Sequence, residues 1–578
     1  MRSPNPYSTT ALGAVLLAAM ALSGCATTTN DSVTADTPPD SAANASANTS
    51  SSTSTAAGIS ESIMRDITKT LSLDAYEGRA PGSAGEEKTL ALLTERFAAA
   101  GLMPGNKGSW FQEVPLVGIT AENVSPLVIS DRNNTQSFAY GSDMIVGSYR
   151  EVASIEIENS DIVFVGYGIN APERGWNDYA DVDVTGKTVL IMVNDPDFGS
   201  ESLEGLFGGR AMTYYGRWTY KYEEAARQGA AAALIIHDTA PAAYGWNVVE
   251  SSWVGPQFHP QSANGGADQT KANGWIQKSV AEKILAADGK SLNALMHAAR
   301  VQGFKAQPLS LSASVSFDNT ISRLQSNNVL GILPGKKRPD EYVVYTAHWD
   351  HLGRCKPAQD GDDICNGAVD NATGTAALVA LADAHARAGA ADRSLLFLAV
   401  TAEESGLLGS RYYADNPVYP LSKTVGGVNM DAFLMAGEAR DVIVVGKGKS
   451  ELDNYLDAAL AGVGRVSKNE PTPEKGFYYR SDHFSFAKRG VPMIYFEGGE
   501  DLVNGGETAG RAAAQDYTKN RYHGPKDEYD DNWDWSGVMA DLDVYYAVAR
   551  ALADGDDWPN WLPGDEFRAI RDASRAGK

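Results

Sequence analysis

From about residue 320 to 550 the chain alternates short apolar runs with helix-patterned segments. Tyr342–Ala347, Ser394–Val400, Val425–Met430 and Pro492–Phe496 read as strands, and the Ala- and Leu-rich stretch Thr375–Ala388 reads as a helix. Strands that are apolar along their whole length need cover on both faces. The pattern therefore predicts an α/β fold, with a mixed, mostly parallel sheet covered by helices on both faces. Such sheets bind ligands beyond the carboxyl ends of their strands. His348, Glu403 and Asp431 fall at those ends.

Five short segments carry metal-ligand chemistry in a fixed order: His348-Trp349-Asp350, Asp370-Asn371, Glu403-Glu404, Asp431 and His523. Each has a bland reading by itself. Asp370 stands where a helix N-cap would, a Glu-Glu pair is usually a solvated surface, and a lone His in a polar segment seldom does chemistry. Together they can hold two divalent ions. A carboxylate at Asp370 can bridge metals about 3.5–4 Å apart. Asp350 is placed to take the second ring N–H of His348 and fix its tautomer. His351 is a rival ligand, read here as loop support. Glu403 and Glu404 point in different directions, so one can bind metal while the other faces water.

The motifs HWDHLG, GAVDNATGTA, TAEESGLLGS, VNMDAF, YRSDHFSF and YH, spread over about residues 326–550, resemble the M28 family of zinc peptidases, the aminopeptidase and glutamate-carboxypeptidase group. The resemblance implies two zinc ions per chain. One is held by His348, Asp370 and Asp431, the other by Asp370, Glu404 and His523. Glu403 is then the general base and Asp350 orients His348. Tyr478 or Tyr522 supplies a hydroxyl to the oxyanion, and the Asp370–Asn371 peptide bond is cis. The implied activity is hydrolysis of the N-terminal peptide bond of peptides. Three alternatives stand beside it: a carboxypeptidase of the same fold, for which Arg480 and Arg521 are candidate carboxylate binders; a one-zinc glutaminyl cyclase, against which the complete ligand set argues; and a non-catalytic peptide-binding lipoprotein, against which the free Glu403 argues.

A chain of 578 residues exceeds one ordinary core. Residues 1–24 read as a signal peptide, with an apolar run from Ala11 to Leu22 too short to span a bilayer. Leu22-Ser23-Gly24-Cys25 resembles the lipobox of bacterial lipoproteins, which implies lipidation of Cys25. The expected location is the bacterial cell envelope, lipid-anchored on the periplasmic face of the outer membrane, or secreted. Residues 25–58, rich in Ser, Thr, Ala and Asn, read as a disordered tether. The zinc peptidase domain is expected at 59–124 and 316–555. Between them, 125–315 reads as a β-rich insert, and 556–578 as a peripheral tail. The insert resembles the protease-associated domain through its strand order and the spacing of Lys221, Ala225, Gly229 and Ala230. Cys355 and Cys365 share one polar loop, and in an exported chain they are expected to form a disulfide. A net charge of -24 argues against nucleic acid as a partner. It leaves peptides as substrates and the membrane as a partner through the lipid alone.

Overall fold

The structure, a computed structural model, describes residues 57–253 and 255–576. The expected signal peptide, Cys25 and nearly all of the tether lie outside the described residues.

The C-terminal half is built on four parallel strands, Arg393–Val400, Arg338–His348, Thr424–Asn429 and Met493–Gly498, paired in that order. Antiparallel strands flank them on both sides. The end of Gln307–Leu333 pairs with Arg393–Val400, and Asp441–Val444 pairs with Met493–Gly498. Side chains alternate between the faces, as the strand period of two requires. Val343, Tyr345, Ala347, Leu395, Phe397 and Ala399 enter one core, beneath the helices Glu61–Leu71, Ala84–Ala99, Thr373–Ala388 and Ser536–Asp554. Tyr342, Val344, Leu396, Leu398 and Val400 enter the opposite core with Tyr413 and Phe486. Burial on both faces is why these strands read as unbroken apolar runs.

The insert's strands extend the same sheet. Ser154–Phe164, Thr188–Met192, Ala232–His237 and Ala272–Gln277 run parallel, with Met144–Gly147 antiparallel at the edge. Three helices, Trp218–Arg227, Lys278–Ala287 and Leu292–Ala299, make it α/β rather than simply β-rich. The lysine that opens its recognisable pattern, Lys221, is fully buried. Its Nζ donates to the carbonyls of Tyr167 and Asn194 at 2.6 and 2.9 Å.

One strand belongs to both halves. Gln307–Leu333 runs for 27 residues; its first part pairs with Ser154–Phe164 of the insert and its last five residues with Arg393–Val400. Between these, residues 318–329 pair with Phe111–Glu122. The expected boundary at 315/316 therefore falls inside a continuous strand.

The C-terminal segment is also integrated, contrary to the peripheral tail expected from sequence. Trp561 and Phe567 are buried, and the Trp561 indole N–H donates to the Gly490 carbonyl at 2.9 Å. The buried Arg571 guanidinium donates to the carbonyls of Thr424 and Val425 at 2.9 and 2.8 Å, closing off the start of a central strand. Among the described residues no helix is long and apolar enough to cross a membrane. Trp561→Ala is expected to cost about 3–5 kcal/mol of stability by loss of buried area plus a cavity, measured by denaturant unfolding of the purified protein.

Candidate metal centre

The site forms where the parallel strands end. His348 is the last residue of its strand, the Glu403-Glu404 pair follows the strand ending at Val400, and Asp431 follows the one ending at Asn429. Two non-glycine residues with left-handed backbone mark these ends, Ala402 (φ 53°) and Ala432 (φ 52°), and a third, His523 (φ 55°), lies in the turn after the helix Gly506–Asn520. Strain of this kind persists where surrounding structure holds it, and it gathers at functional sites.

Asp370 lies between two histidines. Its Oδ1 is 3.3 Å from His348 Nε2 and its Oδ2 is 3.3 Å from His523 Nε2. His348 Nε2 is also 3.1 Å from Asp431 Oδ1, and His523 Nε2 is 3.1 Å from Glu404 Oε2. The six expected residues His348, Asp370, Asp431, Glu403, Glu404 and His523 thus converge. Burial alone would raise the Asp370 carboxyl, but its histidine partners bring it well below the usual range. Burial, then Asp431 and Glu404, hold the Glu403 carboxyl well above its ordinary value, although His348 pulls it down.

A divalent ion fits this donor set. At zinc–ligand bonds of about 2.0–2.1 Å in a tetrahedron, neighbouring donors lie about 3.3 Å apart. The four N···O distances, 3.1 to 3.3 Å, match such edges. Among the described residues no Lys or Arg pairs with any of the four carboxylates; their ion-pair partners are histidines. One donor atom each from His348, Asp370 and Asp431 lies within 4.8 Å of the others, and so does a second group, His351, Asp370 and Glu404. His351, read from sequence as loop support, is therefore a further candidate ligand. Its Nδ1 stands 2.6 Å from Glu404 Oε1, shorter than a coordination edge, so it is better suited to holding that carboxylate while His523 faces the ion.

Supporting contacts fix these groups. His348 Nδ1 lies 3.1 Å from the main-chain carbonyl of Asp350 and 3.8 Å from its carboxylate, so the carbonyl, not the expected carboxylate, sets the tautomer. Asp350 Oδ1 instead accepts the Glu403 N–H at 3.1 Å, fixing the backbone of that residue. The Asp370–Asn371 peptide is cis. Asn371 Oδ1 accepts the N–H groups of Gly374 and Ala432, and its amide donates to the Met430 carbonyl, tying the Asp370 turn to the Asp431 turn. A Cβ on Gly374 would sit 2.3 Å from that Asn371 oxygen, so only glycine fits there. Ser481 donates to Asp431 Oδ2 at 2.7 Å.

Two important residues carried no sequence signal. The buried Asp527 accepts the N–H groups of Val369 and Asp370, each at 3.0 Å, and holds the Asp370 turn from behind. The buried Arg79 donates to the carbonyls of Leu71, Trp349, Asn366 and Gly367, tying the N-terminal segment to both loops that frame the site. Cys355 and Cys365 form a disulfide in the second of these loops.

The centre opens into a cavity of about 2690 Å³ whose far wall is insert, including Tyr149, Arg217, Trp218 and Trp253. Tyr522 lines it, stacked on His523 with ring centroids 3.8 Å apart. The structure does not bring Tyr478 there. That ring is buried against His483 and Tyr479, with the Lys449 ammonium 5.1 Å above it.

Residues 328–547 match the family model described as Peptidase family M28. The chain is similar to Leucine aminopeptidase 2 of Arthroderma otae, 26% identical over 282 residues, which cover 46% of this chain and 51% of that protein. It is also similar to aminopeptidase YwaD of Bacillus subtilis, 26% identical over 179 residues, covering 30% and 36%. Aminopeptidase NAALADL1 of Mus musculus is 32% identical over 130 residues, covering 22% of this chain and 16% of that one. The chain thus spans about half or less of these relatives' length. Among solved structures, an aminopeptidase from Aneurinibacillus sp. strain AM-1 aligns over 86% of this chain and 95% of its own, at 20% identity and a TM-score of 0.46.

Replacing Asp527 by Asn would turn an amide toward two N–H donors. Asp527→Asn is expected to weaken zinc binding by about 10- to 100-fold, read by competition with a chromophoric chelator.

Proposed function

We propose that the protein is a zinc-dependent exopeptidase that removes N-terminal residues from peptides. The observation that carries the reading is the split of the cluster. Asp370 joins two histidine-centred donor sets, while the Glu403 carboxylate belongs to neither and stands 4.0 Å from His348 Nε2. The M28 segment and the aminopeptidases among the relatives support it.

His348, Asp370 and Asp431 would hold one zinc ion, and Asp370, Glu404 and His523 the other, with His351 behind Glu404. When bound, the ions supply Lewis-acid polarisation of the scissile carbonyl and a lowered pKa for water. Glu403, fixed through its N–H by Asp350 and kept basic by neighbouring carboxylates, takes the proton from the attacking water and returns it to the leaving amine. Tyr522, which lines the cavity, would supply the hydroxyl that helps hold the developing oxyanion. Asp431 is kept in position by Ser481, and Asp370 by Asp527.

One observation favours a second reading, carboxypeptidase action. Arg217 of the insert and Arg480 both line the cavity, and among the described residues neither forms an ion pair with a carboxylate. Arg521 does not line it and pairs with Asp516 at 3.0 Å.

The proposal extends to location. Residues 1–24 would direct export and Cys25 would carry a lipid in the bacterial envelope; the sequence alone supports this. The insert, by the same reasoning, is a protease-associated domain.

Glu403→Ala is expected to lower turnover of peptides with free N-termini by about 100- to 10,000-fold while metal analysis still finds two zinc ions per chain. Cleavage of N-acetylated peptides from their C-termini would favour the carboxypeptidase reading. Hydrolysis of neither class by the zinc-loaded protein would sink both.

A further inference from the structure

The cavity wall beside Asp431 holds a carboxylate that this mechanism does not use. Glu497 lies near the end of the strand Met493–Gly498, which pairs in parallel with Thr424–Asn429 so that Tyr495 lies beside Asn429. Residues two apart on a strand leave the sheet on one face. Glu497 therefore emerges on the same side as Tyr495, and continuing the register by two residues brings it level with Asp431. Both Tyr495 and Glu497 line the cavity that contains Asp370, Glu403, Glu404, Asp431 and His523. The buried Tyr495 hydroxyl donates to Glu497 Oε1 at 3.0 Å and so fixes one carboxylate oxygen.

Four other acids on this cavity wall are neutralised by protein cations, whereas Asp268 on the insert side forms no ion pair among the described residues. Glu223 pairs with Lys488, Glu224 with Arg227, Asp415 with Arg489 and Glu566 with Lys449. Among the described residues Glu497 forms no ion pair with Lys, Arg or His, and its charged neighbours, Asp431 and Glu470, are like-charged. The Glu497 side chain is exposed toward the cavity, and a cation entering there is attracted by both Glu497 and Asp431. Zinc is not that cation, because Glu497 is absent from both donor groups.

We propose that Glu497 recognises a positive charge on the first residue of the substrate, an ammonium or guanidinium group. That charge is carried either by the α-ammonium or by a basic side chain at that position. The inference rests on the exopeptidase reading, since it places the substrate's first residue beside Asp431. It makes Glu497 a specificity-determining residue, with Tyr495 as its positioning partner.

The test is calorimetric titration of the zinc-loaded protein with L-lysinamide, L-leucinamide and N-acetyl-L-lysinamide, for wild type and Glu497→Gln. A charge-assisted hydrogen bond of ordinary strength predicts an affinity loss of about 10- to 100-fold. Loss for lysinamide and leucinamide alike, with acetyl-lysinamide unaffected, assigns the α-ammonium. Loss confined to the two lysine compounds assigns the side chain, and the kcat/KM ratio of lysyl over leucyl 4-nitroanilide then falls by the same factor. Tyr495→Phe keeps the charge but frees the carboxylate; a smaller loss of the same pattern is expected, and this variant carries the test should Glu497→Gln not fold. Equal affinities in wild type and variants, or no binding of any amide to wild type, would overturn the proposal. Binding losses in a protein that hydrolyses no peptide would instead remove the exopeptidase reading and leave the recognition standing.

Discussion

Four carboxylates, Asp370, Glu403, Glu404 and Asp431, meet beyond the ends of parallel strands with histidines as their only ion-pair partners among the described residues. Like charges brought this close in a buried setting are strongly unfavourable without cations. Much of the nearby architecture serves to hold them there. Asp527 and Asn371 clamp the Asp370 turn, Ser481 holds Asp431, Asp350 holds the Glu403 backbone, and Arg79 secures the loops on either side. The cost of assembling such a cluster falls on the fold, and metal binding returns it, because ions that bind only the folded state stabilise it.

How far this was readable depended on whether each residue's role is local. The central strands were legible because burial on both faces leaves continuous apolar runs, and their ends pointed directly at His348, Glu403 and Asp431. Gln307–Leu333 was not, because its exposed face is Ser- and Asn-rich and alternation over such a length resembles several short elements. The C-terminal segment has few apolar residues, yet Trp561, Phe567 and Arg571 are all buried; two aromatics and a guanidinium that finds carbonyl acceptors are enough to dock it. Asp527 and Arg79 act across 157 and 270 residues, so no window of sequence could link them to the site. Tyr478 and Tyr522 looked equivalent in sequence. They diverge because Tyr478 sits in the short turn Phe477–Tyr479, which turns its ring into an aromatic cluster, whereas Tyr522 stacks on a site histidine.

The position of the insert follows from the seam. Phe111–Glu122 and residues 318–329 form a ribbon of twelve paired residues, and one of its strands continues without a break into the catalytic sheet. A continuous ladder of this kind opposes a hinge between the halves, since opening one would break main-chain hydrogen bonds in series. The insert wall with Arg217, Trp218 and Trp253 therefore stands at a fixed distance from the metal ligands, and what enters is selected by a preformed cavity. Preformed walls let charges on both sides act together: carboxylates at the strand ends, guanidiniums from Arg217 and Arg480 opposite. A peptide carries its own positive and negative ends, and a rigid cavity with separated charges orients it before any bond is broken, which is where fixed electrostatics contribute most to selectivity.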